Sequence, residues 1–224
     1  MNTNERLFQI KDYIKGNRCL RRLYERSKSI VQLYPFYLVS EGQADHYDID
    51  INPKIDKDRL EVSLLGPSDM KQLAQLPGVR ETEEELALRL QNGLLCLALR
   101  YDSSIIAYMW CNLLVCDHKH LRFRLNKDQA YLTKAYTTQE YRGLNLAPYL
   151  RCQFYKYLHE MGRTRLYSIT DYFNKPAQRF KAKLFAKPCG LYLGITFLRS
   201  YNVLIKLKNY CKGAYSRPMD HRGL

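Results

Sequence analysis

No stretch of the sequence is apolar enough to cross a membrane. A membrane-spanning helix needs roughly twenty consecutive apolar residues, and polar residues interrupt every apolar run of the 224-residue chain. The first residues, Met1 to Arg6, are polar, and the apolar core of a secretory signal does not follow them. We therefore expect a cytoplasmic protein.

The sequence also lacks the cysteine and histidine spacings of a disulfide framework or a metal site. Its seven cysteines are odd in number and lie far apart, at Cys19, Cys96, Cys111, Cys116, Cys152, Cys189 and Cys211. Small secreted proteins instead carry an even set at short spacings. His118 and His120 lie beside Asp117, but no third ligand stands at the spacing of a zinc site. The pattern predicts reduced core thiols, a solvated histidine loop and no metal.

Acidic residues are scarce at both ends of the chain. The 22 Asp and Glu residues stand against 36 Lys and Arg residues, which gives a net charge of +14. Residues 1–30 hold eight basic residues against three acidic ones, and residues 163–224 hold thirteen against two. Basic ends favour an anionic partner, which is nucleic acid, an anionic membrane, or a phosphorylated or acidic substrate. A solvated basic surface that maintains solubility explains the charge equally well.

The most informative stretch, residues 137–147, connects a strand pattern to a helix pattern. Residues 130–136 are rich in Tyr, Thr and Leu without Gly or Pro, as in a half-buried strand. An apolar residue then recurs at every fourth position, at Leu146, Leu150, Phe154 and Leu158. Gly143 and Asn145 in the connection are the residue types that most readily adopt positive φ. Such a turn directs successive backbone N–H groups outward at the positive end of the helix dipole, which predicts an anion-binding loop.

Further features follow the loop in a recognisable order. Gly162 closes the helix, residues 164–170 have a strand pattern, and the segment from Asn174 to Ala177 opens another helix. Taken together with the features that follow it in the chain, the segment from Arg142 to Ala147 resembles the pyrophosphate-binding motif of the Gcn5-related N-acetyltransferase (GNAT) superfamily. Arg142 and Ala147 fill the first and last places of that motif. Asn145 stands where the family usually has Gly, and Asn is the best substitute in a left-handed conformation.

The resemblance implies an α/β fold with a mixed sheet and an acyl-CoA-dependent N-acyltransferase activity, with acetyl-CoA as cosubstrate and no metal. It also implies which residues hold coenzyme A, namely Thr137, Arg142, Gly143, Leu144, Asn145, Leu146, Ala147 and Asn174. Lys181 or Lys183 would add positive charge near the 3′-phosphate, although a solvated helix face explains both lysines equally well.

The sequence departs from the family at the two positions that most often carry acid and base chemistry. The family's frequent base, a Glu on the strand before the motif, aligns with Tyr131. Its frequent acid, a Tyr seven residues after the Asn, aligns with Lys181. Neither role transfers. Tyr131 and Tyr172 are the candidate catalytic residues, with Tyr136 and Tyr167 also open as acids, and water or an N-terminal carboxylate would act as the base.

The family motif lies in a predicted core, residues 60–210. Thr82 and Glu85 have the spacing of a capping box at a helix N-terminus. The other expected elements are a strand at 60–65, helices at 69–76 and 82–91, a hairpin of strands at 94–99 and 105–115, a loop at 117–126, a helix at 176–186, and strands at 191–198 and 203–207. The helix at 176–186 is expected to expose a basic face of Arg179, Lys181, Lys183 and Lys187, and residues 188–190 interrupt the chain after it.

An N-terminal extension, residues 1–59, precedes the core, and a tail, residues 211–224, follows it. Residues 5–30 have the apolar spacing of a helix with a basic side. Residues 31–39 have a strand pattern that contains Pro35, which suits the edge of a sheet. Residues 47–51 alternate as a second short strand.

Three functions remain open from the sequence. The first is acetyl transfer from acetyl-CoA to the amine of a small acceptor, for which the basic ends favour an anionic molecule. The second is a binding module that has kept this fold without turnover and binds nucleic acid or an anionic membrane through its basic surface. The third is an aminoacyl-tRNA-dependent transferase of related fold. The sequence leaves the oligomeric state open.

Overall fold

The computed structural model describes residues 31–44, 49–198 and 201–210. The helix expected at 5–30, the tail at 211–224 and most of the strand expected at 47–51 lie outside the described residues, and residues 49–51 belong to no strand. The strands are β1 (Val31–Glu41), β2 (Leu60–Leu64), β3 (Leu95–Tyr101), β4 (Ser104–Asn112), β5 (Val115–His118), β6 (Leu121–Arg124), β7 (Gln129–Thr137), β8 (Arg165–Asp171), β9 (Lys187–Phe197) and β10 (Tyr201–Asn209). The α-helices are α1 (Met70–Ala74), α2 (Glu83–Gln91), α3 (Leu146–Glu160) and α4 (Lys175–Lys183), with 3-10 turns at Lys57–Arg59, Pro67–Asp69 and Gln139–Tyr141.

Eight of the strands form one mixed sheet in the order β10-β9-β1-β8-β7-β4-β3-β2, and β5 and β6 form a separate hairpin. All neighbouring strands of the large sheet are antiparallel except β7 and β8, which are parallel. Side chains of β4 reach both faces. Trp110 packs in one cluster with Leu73 of α1 and Leu86 of α2, whereas Met109 packs in another with Leu150 of α3. The predicted α/β fold with a mixed sheet is confirmed.

Several local predictions are also confirmed. The N–H of Glu85 donates to Thr82 Oγ1 at 3.3 Å, and the N–H of Thr82 donates to Glu85 Oε2 at 2.9 Å, so the capping box starts α2 as expected. β3 and β4 form the expected hairpin. Gly162 ends α3 with a φ of +77°. Each of these features depends on residues close together in the chain.

The edge position expected for Pro35 is wrong, because β1 lies inside the sheet between β8 and β9. Pairing between β1 and β8 begins at Phe36, and the Pro35 carbonyl accepts a hydrogen bond of 2.9 Å from the Tyr172 N–H just beyond that point. The amide of Pro35 lies on this same side, at the end of the ladder, so its missing N–H removes no bond from the middle of the sheet. β1, which precedes the predicted start of the core at residue 60, is therefore an inner strand of the same sheet.

The solvated loop expected at 117–126 is wrong as well, because β5 and β6 pair as a hairpin that packs against β1 and β9. The His118 ring lies 4.7 Å from the Phe36 ring, measured between centroids. His120 is only 7% exposed and lies directly on Gly194, where a Cβ atom would come within 2.4 Å of the His120 Cγ. A side chain at position 194 would therefore overlap the His120 ring of the hairpin.

Two predictions at the end of the chain are wrong in detail. The helix expected at 176–186 ends at Lys183, and the expected interruption at 188–190 instead lies within β9. Lys181 does not belong to an exposed basic face, since it is only 7% exposed. Its buried surroundings place it in the candidate functional site.

The close contact between Gly194 and His120 predicts a specific stability effect. Gly194→Ala is expected to lower the free energy of unfolding by about 1–3 kcal/mol, because the added Cβ overlaps the His120 ring. In a His120→Ala background the same substitution should cost less than about 0.5 kcal/mol. Urea unfolding of the four proteins measures this, with Gly66→Ala as a control at a site whose nearest neighbour would lie 3.9 Å away. Equal costs in both backgrounds would show that the hairpin does not rest on β9.

Candidate functional site

The two parallel strands in the middle of the sheet separate after a short paired segment. Only three residue pairs join β7 to β8, from Gln129 with Arg165 to Tyr131 with Tyr167. Beyond them the strands enclose a gap of about 330 Å³, which is lined by β7 residues 131–135 and β8 residues 168–171. Side chains of α4 line it from one face of the sheet, and His118 of β5 lines it from the other. The sheet therefore contains an opening at its centre.

The loop from β7 to α3 lies next to this gap. Gly143 has a φ of +80° and Asn145 a φ of +61°, so Asn145 adopts the left-handed conformation expected where the family has Gly. The loop is held from behind by residues 50–52. The N–H of Asn52 donates to the Leu144 carbonyl at 3.2 Å, and the Asn145 side-chain amide donates to the Asp50 carbonyl at 3.0 Å. These contacts fix the loop without using its own N–H groups.

Five consecutive N–H groups of the loop, those of residues 143–147, find no acceptor among the residues that the structure describes. They surround the N-terminus of α3, a fifteen-residue helix whose dipole adds positive potential there. The first N–H groups of a helix have no partner within the helix, so they are available to a ligand. The arrangement is therefore suited to bind an anion.

A groove of about 530 Å³ adjoins the loop and carries three cationic side chains, those of Arg142, Arg179 and Lys183. Arg142 Nε donates to the Thr137 carbonyl at 3.1 Å, and Lys183 Nζ donates to Asn145 Oδ1 at 2.7 Å. Positive charge from the loop and from α4 thus meets above the same N–H groups. A ligand with more than one phosphate group fits this combination.

A cluster of buried charged groups lies on the α-helical side of the gap. The Glu41 carboxylate at the end of β1 is fully buried, and Arg151 Nε of α3 donates to it at 3.0 Å. The hydroxyls of Tyr155 and Ser168 also donate to this carboxylate. Lys181 Nζ of α4 lies 3.5 Å from Glu41 Oε1 and donates to the Ile169 carbonyl at 3.3 Å. One carboxylate thus connects two strands and two helices beside the gap.

The surroundings of these groups change their protonation. Burial alone would raise the pKa of the Glu41 carboxyl, but the charges of Arg151 and Lys181 and two hydroxyl hydrogen bonds lower it to about 2. Burial lowers the pKa of Lys181 to about 8, even though Glu41 acts in the opposite direction. At pH 7 Glu41 is therefore charged, and Arg151 and Lys181 are both protonated.

Three solved structures of the same fold resemble this chain. A GNAT family protein from Novosphingobium aromaticivorans has a TM-score of 0.52 and 17% identity, and the match covers 80% of this chain and 67% of that one. A tandem GNAT protein of the clavulanic acid biosynthesis pathway has a TM-score of 0.53 at 12% identity, with 75% and 54% covered. A Drosophila protein has a TM-score of 0.53 at 10% identity, with 81% and 58% covered. The chain has the fold of the GNAT superfamily.

No protein-family model and no curated protein matches the sequence. The chain spans little more than half the length of the Drosophila protein and of the tandem GNAT protein. At these identities the likeness concerns the fold.

Within the GNAT fold, the structure separates the two candidate catalytic tyrosines. Tyr131 lines the gap, but burial raises the pKa of its hydroxyl, which disfavours proton loss from that group. Tyr172 does not line the gap and packs outside it, with its ring 5.5 Å from that of Tyr37. The Tyr136 hydroxyl donates to the Pro77 carbonyl, and Tyr167 is buried in an edge-to-face contact with Phe123. Of the two candidate catalytic tyrosines, Tyr131 thus lies at the gap and Tyr172 lies outside it.

Two residues at the gap have positions that the sequence did not reveal. His118 lines the gap, and burial lowers the pKa of its imidazole, so the ring is neutral at pH 7. Lys181 stands at the position where the family often has its Tyr, and it lines the same gap. Asn174 lines the gap too, where its Oδ1 accepts a hydrogen bond of 3.0 Å from the Ala177 N–H and caps α4.

In the part of the chain that the structure describes, no group of three metal-ligating side chains comes together, and no helix is long and apolar enough to span a membrane.

The depressed pKa of Glu41 predicts how stability depends on pH. Because the folded-state pKa is about 2 against an ordinary value of 4.5, the stabilisation from this carboxylate is fully present above about pH 4.5 and is lost as the pH falls through about 2. Glu41→Gln should lower the free energy of unfolding at pH 7 by about 3–5 kcal/mol, because it leaves Arg151 and Lys181 buried without their anion. Urea unfolding between pH 7 and pH 2 should show the difference shrinking with acidification.

A matched control is Glu160→Gln, which removes an exposed carboxylate at the end of α3 and should change stability by less than about 0.5 kcal/mol. A Glu41→Gln effect of the same small size, or one that does not change with pH, would contradict the role assigned to the buried carboxylate.

Proposed function

We propose that the protein is an acyl-CoA-dependent N-acyltransferase that transfers an acetyl group from acetyl-CoA to the amine of a small acceptor. The observation that carries this proposal is the row of unpartnered N–H groups at residues 143–147, set at the N-terminus of α3 beside an opening in the sheet. A diphosphate on these N–H groups would place the rest of coenzyme A along the groove and the gap. The GNAT fold supports this assignment.

The groove supplies the charges that coenzyme A requires. Arg142 lies at the loop, and Arg179 and Lys183 lie in the middle and at the end of α4, across the groove. The diphosphate would take the N–H groups and Arg142, which leaves the two α4 residues for the 3′-phosphate. Of the two lysines considered for this role, Lys183 faces the groove, whereas Lys181 is buried next to Glu41.

The gap supplies a binding edge for the pantetheine arm. Residues 132–136 of β7 have no strand partner on the side of β8. Unpaired N–H and C=O groups on such an edge bind an extended chain of amides in the way that another strand would. The two amides of pantetheine match this edge, so the arm would take the place of the missing pairing and carry the thioester into the gap.

The acceptor amine would approach from the His118 side of the sheet, opposite α4. Its nitrogen attacks the thioester carbonyl, and N–H groups of the open β7 edge stabilise the negative charge that develops on the carbonyl oxygen. The neutral His118 ring does not repel an incoming ammonium group.

We propose a small anionic acceptor because basic residues outnumber acidic ones thirteen to two over residues 163–224, which include β8, α4 and β9.

Calorimetric titration with acetyl-CoA tests the proposal. The protein should bind acetyl-CoA well below millimolar concentration, and Arg142→Glu should weaken binding at least about 100-fold, because it replaces a phosphate-binding cation with an anion at the loop. Arg124→Glu makes the same change of charge at an exposed site on β6, away from the groove, and should change the affinity by less than about threefold. Absence of acetyl-CoA binding at millimolar concentration would remove the proposed function.

A further inference from the structure

The buried charged cluster beside the gap holds one more positive charge than negative charge. Glu41 supplies the only buried carboxylate in it, while Arg151 and Lys181 supply two cations, each less than 10% exposed. The other titratable or charged groups that face the cluster or share the gap with Lys181 are the hydroxyls of Tyr155 and Tyr131, the imidazole of His118, the more exposed carboxylate of Asp171 and the ammonium of Lys134, which pairs with Glu81. The Ser168 hydroxyl also faces the cluster. Among the described residues, no second buried anion balances the cluster.

A balanced ion pair would satisfy the fold without Lys181. The Glu41 carboxylate already has Arg151, Tyr155 and Ser168 as donors. Taking a further ammonium out of water costs free energy. Its attraction to the Glu41 carboxylate, 3.5 Å away, offsets this cost only partly, because Arg151 already pairs with that carboxylate. Burial accordingly lowers the pKa of Lys181. Lys181 Nζ donates to Ser168 Oγ and to the Ile169 carbonyl, but neither of these groups carries a charge that balances the ammonium. Surplus buried charge of this kind is typical of functional sites.

The position of Lys181 suggests what the charge is for. Lys181 lines the gap between β7 and β8, as does Thr170, whose buried Oγ1 finds no partner among the described residues. In a site shielded from water, surplus positive charge stabilises an anion that forms beside it. In acyl transfer from coenzyme A, the anion released in the gap is the thiolate.

We propose that Lys181 is a catalytic residue that protonates the departing thiolate of coenzyme A, an inference that rests on the proposed function. As the acceptor nitrogen forms its bond to the acyl carbon, the carbon–sulfur bond breaks and its electron pair stays on sulfur. One N–H bond of the Lys181 ammonium then breaks, and its proton moves to sulfur to give the coenzyme A thiol. The acceptor ammonium loses one proton to solvent before attack, and its nitrogen loses a second proton to solvent as the neutral amide forms. Solvent returns one proton to the neutral Lys181 amine. Glu41 and Arg151 are positioning residues for Lys181.

The acid strengths of the two partners fit this transfer. The pKa of Lys181 is lowered to about 8, which is close to the value of roughly 8.5 for a cysteine thiol in water. Proton transfer between groups of similar pKa is nearly balanced in free energy, so Lys181 is able to give up its proton and regain it within one catalytic cycle.

The thiol of bound coenzyme A reports on Lys181 without any knowledge of the acceptor. The full chain is saturated with coenzyme A and treated with iodoacetamide over a range of pH, and S-alkylated coenzyme A is measured by mass spectrometry. The midpoint of the pH profile is the measured quantity, because burial changes the absolute rate. The wild-type complex should show a midpoint at least one pH unit below that of free coenzyme A, since the Lys181 ammonium stabilises the thiolate.

Lys181→Met should return the midpoint to that of free coenzyme A or above it, and Lys181→Gln, which keeps a hydrogen-bonding side chain, should do the same if the Met variant does not fold. Lys187→Met removes an exposed lysine at the start of β9 and should leave the midpoint unchanged. All variants should bind coenzyme A within about threefold of wild type. An unshifted wild-type midpoint, or a shift that survives removal of the Lys181 charge, would overturn this inference while leaving the proposed function intact. A wild-type chain that does not bind coenzyme A would remove both.

Discussion

A single buried carboxylate, that of Glu41, determines how the parts of the site sit together. It lies at the end of β1 and receives hydrogen bonds from Arg151 and Tyr155 of α3 and from Ser168 of β8, with Lys181 of α4 nearby. Ser168 directly follows Tyr167, the last residue of β8 that pairs with β7. The cluster therefore lies at the point where the two strands separate. Because a buried charge is costly without its partners, none of these elements can shift alone without leaving a charge unpaired.

This arrangement relates the two halves of the candidate site to each other. The anion-binding loop belongs to the N-terminus of α3, and the surplus positive charge lies where α3, α4 and the parting strands meet. Arg151 sits on the same helix that begins at the loop, less than two turns after Leu146. One end of α3 thus faces the proposed diphosphate, and its second turn anchors the cluster beside the proposed thioester.

The parts of the fold that the sequence predicted are those that depend on neighbours in the chain. Positive φ at Gly143 and Asn145, the periodicity of α3 and the Asn174 cap of α4 all follow from the preferences of a few consecutive residues. The position and backbone conformation of the loop at residues 143–147 could therefore be predicted from its residue types and from the family resemblance. The structure adds that residues 50–52 hold the loop from behind, a contact between segments about ninety residues apart.

The remaining parts depend on contacts that no local pattern contains. Glu41 and Arg151 are 110 residues apart in the chain, and by sequence Lys181 looks like its exposed neighbours Arg179 and Lys183. The edge position inferred from Pro35 failed because one missing N–H is harmless at the end of a ladder. His118 was assigned to a solvated loop, since the polar and basic composition of residues 117–126 does not show that two short strands fold back over Phe36 and Gly194. Tertiary packing decided each of these cases.

A crystal structure of the full chain with coenzyme A bound would show whether the loop, the groove and the gap form one binding site. We expect diphosphate oxygens within hydrogen-bonding distance of the N–H groups of residues 143–147, the pantetheine arm along residues 132–136 of β7, and the sulfur atom in the gap beside Lys181 Nζ. A coenzyme bound elsewhere on the surface, or a diphosphate on the loop with its pantetheine arm directed away from the gap, would contradict this expectation.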